Sequence, residues 1–513
     1  MTDTNFVYKS TNITYTWLND VNTIVYKAAS VAALRAMAYT PPWVMTRGYY
    51  AAGDGGGAIF WYDSTDTTSV DNGGSIIVST NGARWKMLRT SELPNVKQFG
   101  AKGDGVTVDY AAIVAAYAAF SDLWWPNGTY NLGANTWTTP AAGSAIGESR
   151  RGVKLTRTGS AAIVKLGNDN FDFRMENLYF TGAGNTGIAV AGTGGSFPYY
   201  AIRLHLKYCD FAYELAYGIN ADLIYADISE CTFGYYGTGA VPGTMVGIRS
   251  VTTGGLDTNL NNLRDLKFNN CATAIYAEGG FEWQLTCVDV STSGIAIDIR
   301  DIRQLCIDTC WFEGNTGTDC VIKLDGGSVA PNVVVENSHF TSNAADEIFK
   351  WSSSLGVVLE VKKNFIALNA NKYVLYDNAT TSRVLPADGS IAFWGNNVSG
   401  GNAANKLLTS TDFRGGVVSP RLVAVINTAS PGSILSSSDP ALTITYTSAG
   451  NVVLSTPSFD WGTAANNVAV FAFGRTATIG KATTVSVNSV RLEFFNDAGV
   501  ATDTIAHVLI YGK

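Results

Sequence analysis

Four carboxylates near the middle of this 513-residue chain fall into two pairs that could perform acid–base chemistry: Asp289 with Glu313, and Asp308 with Glu336. Hydrolysis of an acetal bond needs one carboxyl group as acid and a second as base or nucleophile, and their separation sets the stereochemical course. Trp311 stands among them. An exposed indole is costly unless it packs on something, and the C–H face of a saccharide ring is one such partner; a covering loop or a subunit contact is another. His339, Lys267 and Arg303 offer a second chemistry. A neutral base and cations that stabilise an enolate are what β-elimination from a uronic acid requires. Glu282, beside Trp283, and Asp298 and Asp301 are further acids. There is no zinc-binding HExxH, serine-nucleophile elbow, dinucleotide fingerprint or paired C-x-x-C, so neither a metal nor a cofactor is expected.

A repeat orders these residues. The stretch LCIDTCWFEGN (residues 305–315) can be laid over MENLYF, LKYCDF, ISECTF, LRDLKF, LTCVDV and VENSHF. From Phe180 the terminal positions advance by 31, 22, 35, 22, 22 and 28 residues. A floor of 22 with longer excursions predicts the coils of a right-handed parallel β-helix with loop insertions. In each copy the first apolar residue, the residue two before the end and the terminal Phe should point inward. One outward column then holds Tyr179, Asp210, Thr232, Lys267, Asp289, Trp311 and His339, and a second holds Glu176, Lys207, Ser229, Arg264, Asp308 and Glu336. With strands about 4.8 Å apart, Asp289 and Glu313, offset by two residues, should be roughly 8 Å apart, the inverting range. Asp308 and Glu336 share a column, so about 5 Å, the retaining range, is expected, although these are also places where turn residues belong.

Composition suits this architecture. The chain is 46% hydrophobic and 15% charged, with 53 glycines, as an all-β protein with many turns requires. A formal charge of −7 without a basic run argues against nucleic acid as a partner. No 18-residue apolar stretch predicts membrane insertion, and MTDTNFVYKS lacks the features of a secretory signal. The seven cysteines lie between Cys209 and Cys320. Cys209, Cys231 and Cys310 share an inward repeat position, and the set reads as buried thiols made in a reducing cytoplasm.

In chain order, residues 1–94 read as a small N-terminal domain in which Ser30 caps a short helix and GDGGG is a turn. Residues 95–370 read as the β-helix: a strand ending at Phe99, then an Ala-rich amphipathic helix capped by Asp109 that serves as a lid. Residues 371–420 read as a transition, and 421–513 as a β-sandwich-like domain.

The run VKQFGAKGDGVTVDYAAIVAA closely resembles the opening motif of the pectate-lyase-like β-helix superfamily. GYYAAGDGGGAIFWYD, DNGGSIIV and ARWKML resemble the neck that precedes it in bacteriophage tailspikes. The resemblance covers about the first quarter of the chain. It implies a homotrimer in the virion tail, made in the host cytoplasm, joined to a tail or baseplate protein and acting on a bacterial capsule, exopolysaccharide or O-antigen. It also implies a C-terminal piece for trimerisation or carbohydrate binding, and it allows catalytic carboxylates to lie between subunits. An endo-acting hydrolase is the leading expectation. A lyase, a receptor-binding spike without catalysis and a pectinase-like enzyme are the alternatives.

Overall fold

The computed structural model describes residues 26–89, 92–167, 172–182, 187–192, 201–235, 244–251, 260–317, 320–325, 331–344, 347–351 and 358–368, and strands between 373 and 512. Two compact units divide the chain, the first comprising Met1–Thr193 and His205–Asp210, the second Gly194–Leu204 and Phe211–Lys513.

The first unit opens with a five-stranded sheet. Trp43–Thr46, Ile59–Tyr62, Arg84–Met87 and Ile76–Val78 pair antiparallel, and Tyr26–Ala28 adds in parallel. Its core is Val44, Phe60, Ile77 and Trp85, closed by the helix Val31–Arg35 through Val31 and Leu34. Ser30 caps that helix, accepting from the Ala33 amide at 3.2 Å. Val96–Phe99 is a 3₁₀ turn rather than the expected strand end, because Asn95 and Gln98 form a reciprocal capping box. Asp109 precedes the helix Tyr110–Ala119 but makes no side-chain cap. Its carboxylate instead accepts from the amides of Lys102 and Gly103, fastening the glycine turn, and burial pushes its pKa up. The helix is apolar on most sides rather than sharply amphipathic: Ile113 and Ala116 are buried while Val114 is exposed. Tyr117 fixes it to the first coil, with its ring 4.8 Å from Trp137 and its hydroxyl donating to the Ser144 carbonyl.

Parallel coils follow. In the first unit Asp122–Trp125, Gly143–Gly147, Phe173–Glu176 and His205–Lys207 stack in register, and Gly128–Asn131, Val153–Thr156 and Leu178–Phe180 form a second face. In the second unit each coil supplies three strand segments. Two of them run together without a break in Thr273–Thr286 and Ile295–Asp308, and the third face holds Lys267–Asn269, Asp289–Ser291, Trp311–Glu313, His339–Thr341 and Phe365–Leu368. Parallel pairing continues to Asn397–Gly400, past the boundary expected at residue 370. Residues 401–420 of the expected transition lie outside the described residues. The terminal strands form two four-stranded antiparallel sheets.

One backbone conformation turns six coils of the second unit. Glu230, Asp265, Cys287, Thr309, Asn337 and Lys363 all have φ between 52 and 57°. Left-handed backbone costs an L-residue roughly 1–2 kcal/mol. It is offset because corner amides donate to the next coil, as Cys287 does to Asp308 and Thr309 to Glu336 at 3.2 Å. The corner separates the two outward columns and turns the next side chain inward. The inward positions behave as expected: Phe233 and Phe268 stack at 4.7 Å, as do Phe312 and Phe340, all fully buried. The cysteine ladder is mixed, because Leu266 and Val288 separate Cys231 from Cys310. Two thiols break the expectation of burial: Cys287 occupies an exposed corner and Cys306 an outward position.

Candidate functional site

The third face of the second unit aligns the expected outward column. Thr232, Lys267, Asp289, Trp311 and His339 are successive register partners, and Phe365 continues the line. Each strand is only three or four residues long, so its two outward side chains present one rung to solvent. On adjacent rungs Asp289 pairs with Trp311 and Ser291 with Glu313, which makes a square of four side chains. Within each rung the two members bind each other. Ser291 Oγ donates to Asp289 Oδ1 at 2.6 Å, and Trp311 Nε1 donates to Glu313 Oε2 at 2.9 Å. The Asp289–Glu313 offset is the one expected, one strand across and two residues along, hence roughly 8 Å between backbones.

Trp311 is 42% exposed, but it is not an open platform on both sides. His339 lies flat against one face, with ring centroids 3.8 Å apart and planes within 5°. Phe365 covers the other face of His339 at 4.4 Å. The three rings form a short stack along the coil axis, so their edges face solvent and their flat faces point at neighbouring coils. Burial in this stack holds the His339 pKa below its ordinary value, against the opposing pull of Glu313. Phe365 was missed in the repeat. VKKNFI is a further copy whose terminal position is Ile366, one coil beyond the last of the aligned copies, which ends at Phe340.

The structure does not bring all the candidate residues together. Asp308 and Glu336 are register partners in the second column, on the other side of the left-handed corner. Both brace that corner: Asp308 Oδ1 accepts from Asn337 Nδ2 at 2.9 Å and from Thr309 Oγ1 at 3.0 Å, and Glu336 lies 3.4 Å from Lys362 Nζ. Arg303 sits on the long strand Ile295–Asp308 with its guanidinium 4.1 Å from the Phe281 ring centre. Glu282 pairs in register with Gln304, and Asp298 lies 3.7 Å from Lys323 Nζ. Asp301 belongs to the long strand itself, where its φ is 54°. Asp210, expected outward, is fully buried in the first unit beneath Arg150 and Arg151, at 2.7 and 2.6 Å. No cluster of His, Cys, Asp and Glu among the described residues has the makings of a metal site.

Residues 27–90 match the family described as the phage tail protein small four-stranded beta-sheet domain, the sheet that opens the first unit. Among solved structures, the tailspike protein of Acinetobacter phage vB_ApiP_P1 is similar at a TM-score of 0.61 and 17% identity, over 95% of this chain and 98% of that one. Tailspike protein 4 of bacteriophage CBA120, in its enzymatically active domain, aligns at 0.47 and 13% identity over 96% and 76%. The tailspike gp49 of Acinetobacter baumannii bacteriophage Fri1, described as a capsular polysaccharide depolymerase, aligns at 0.45 and 12% over 95% and 98%. A phage-tail β-sheet domain followed by stacked parallel coils is what this chain builds, and its fold is that of a phage tailspike with a parallel β-helix.

Proposed function

We propose that this protein is a tailspike that binds and cleaves a bacterial surface polysaccharide, as an endo-acting hydrolase using Asp289 and Glu313. The observation that carries this reading is the square of Asp289, Ser291, Trp311 and Glu313 on one exposed face. It sets an aromatic wall for a sugar ring beside two carboxylates whose backbone offset of roughly 8 Å suits the wider, inverting arrangement. At that spacing one carboxyl protonates the leaving oxygen while the other activates a water on the opposite side of the ring. The phage-tail domain at residues 27–90 supports attachment to a tail or baseplate protein. The tailspike fold supports assembly as a homotrimer.

A second reading, elimination from a uronic acid, rests on His339. Its lowered pKa keeps it neutral near pH 7, as a base must be, and its nitrogens lie on the ring edge. The test is incubation with purified capsule or O-antigen and measurement of chain length. Asp289→Asn and Glu313→Gln keep the acceptors for Ser291 and for the indole N–H, so both should fold normally and lose cleavage by about 10²–10⁴-fold. Full activity in both variants places the chemistry elsewhere. Unsaturated uronate at the new chain ends selects elimination.

A further inference from the structure

We propose that the site seats an anionic sugar in a one-ring slot between Trp311 and Lys267, and that Lys267 selects it. This inference rests on the polysaccharide reading above and adds the class of glycan. It starts from the one indole face that the stack leaves uncovered. His339 occupies one side of Trp311, and Glu313 accepts from the indole N–H, so both contacts hold the ring in this orientation. The remaining face points to the preceding coil, where the register partner is Asp289. That side chain is short, and its oxygen is drawn along its own strand to Ser291.

One coil further on, the register partner of Asp289 is Lys267, exposed and with no ion pair among the described residues. Lys267 and Trp311 are thus two coils apart, about 9.6 Å at the usual strand spacing. Contact with the indole face takes up about 3.5–4 Å of this. What remains is the thickness of a single sugar ring lying flat on Trp311, with Asp289 as its floor and Lys267 as the far wall. A ring in that pose sends its equatorial bonds along the strand direction, toward Glu313.

Charge then narrows the occupant. Glu313 repels an acidic group that approaches from its side, whereas an acidic group turned to the far wall meets the ammonium of Lys267, which has no ion pair among the described residues. A neutral sugar would leave that ammonium solvated by water alone and gain nothing from it. The geometry therefore points to a glycan whose repeating unit carries a carboxylate or comparable acid.

The test uses a panel of purified capsular and O-antigen polysaccharides, each native and with its carboxyl groups reduced to alcohols. Binding and chain shortening are scored in the same samples. Wild-type protein should bind acidic polymers, with affinity falling at least about tenfold on carboxyl reduction. Lys267→Gln, a change on an exposed position, should bind the native and reduced forms within about twofold of each other. Equal binding of native and reduced polymer by wild-type protein overturns the proposal, as does a full acid preference retained in Lys267→Gln. Binding and shortening of neutral polymers overturns only the anionic slot. A protein that neither binds nor shortens any polymer overturns the polysaccharide reading itself.

Discussion

Replacing His339 separates its two possible parts, and the structure sets the size of each effect. The imidazole touches Trp311 at 3.8 Å and Phe365 at 4.4 Å. Each aromatic contact contributes about 0.5–1.5 kcal/mol, and this stack is partly exposed, so His339→Ala should destabilise the coil by about 1–2 kcal/mol. The indole, freed on one side, must then be immobilised again when sugar binds, at about 0.5–1.5 kcal/mol, which converts to roughly a 2–12-fold rise in KM. If His339 only backs the indole, kcat stays within about twofold and His339→Phe restores both KM and stability. The assay is steady-state release of reducing ends from the polymer that the protein clears, with urea unfolding of the same variants. A fall in kcat of about 100-fold or more in His339→Phe, with KM unchanged, would refute this reasoning and make His339 the base of an elimination.

Three further outcomes follow from the same coils. Phe233 is fully buried between Phe211 at 4.4 Å and Phe268 at 4.7 Å, so Phe233→Ala should cost about 3–5 kcal/mol in chemical denaturation. Native protein treated with a maleimide should label first at Cys287, the exposed thiol, with Cys209, Cys231, Cys271, Cys310 and Cys320 protected until unfolding, as read by peptide mass spectrometry. Burial and the neighbouring Asp265 and Asp308 raise the Cys287 pKa, so its labelling should accelerate steeply with pH. For His339 the folded pKa lies below the unfolded value of about 6.5, so it adds no pH dependence above that point. Below it the unfolded chain takes up the proton first, and wild-type stability should fall more than that of His339→Phe in urea titrations between about pH 7 and pH 5.

Much of this was legible from residue types because a strand has a period of two. Once the copies ending at Phe268, Val290, Phe312 and Phe340 are superposed, the period alone assigns inward and outward positions, and it aligned Lys267, Asp289, Trp311 and His339 correctly. The left-handed corner was not legible. Its occupants are Glu, Asp, Cys, Thr, Asn and Lys, and only Asn and Asp favour that backbone by themselves; the hydrogen bonds from coil to coil impose it on the others. That corner parts Asp308 and Glu336 from the Trp311 face, a separation that linear spacing does not reveal.

The stacking of coils, the column of outward residues and the two-residue offset of Asp289 and Glu313 are readable from residue order, because all three depend only on repeat length and strand period. The tertiary structure decided which way the rings face. Trp311 could have lain flat on the coil surface, with one whole face open to solvent, and no count of residues tells that arrangement from the one observed. Close packing along the coil axis set His339 against one face and left the other toward Asp289 and Lys267, and that choice turns an exposed aromatic into a slot with a direction.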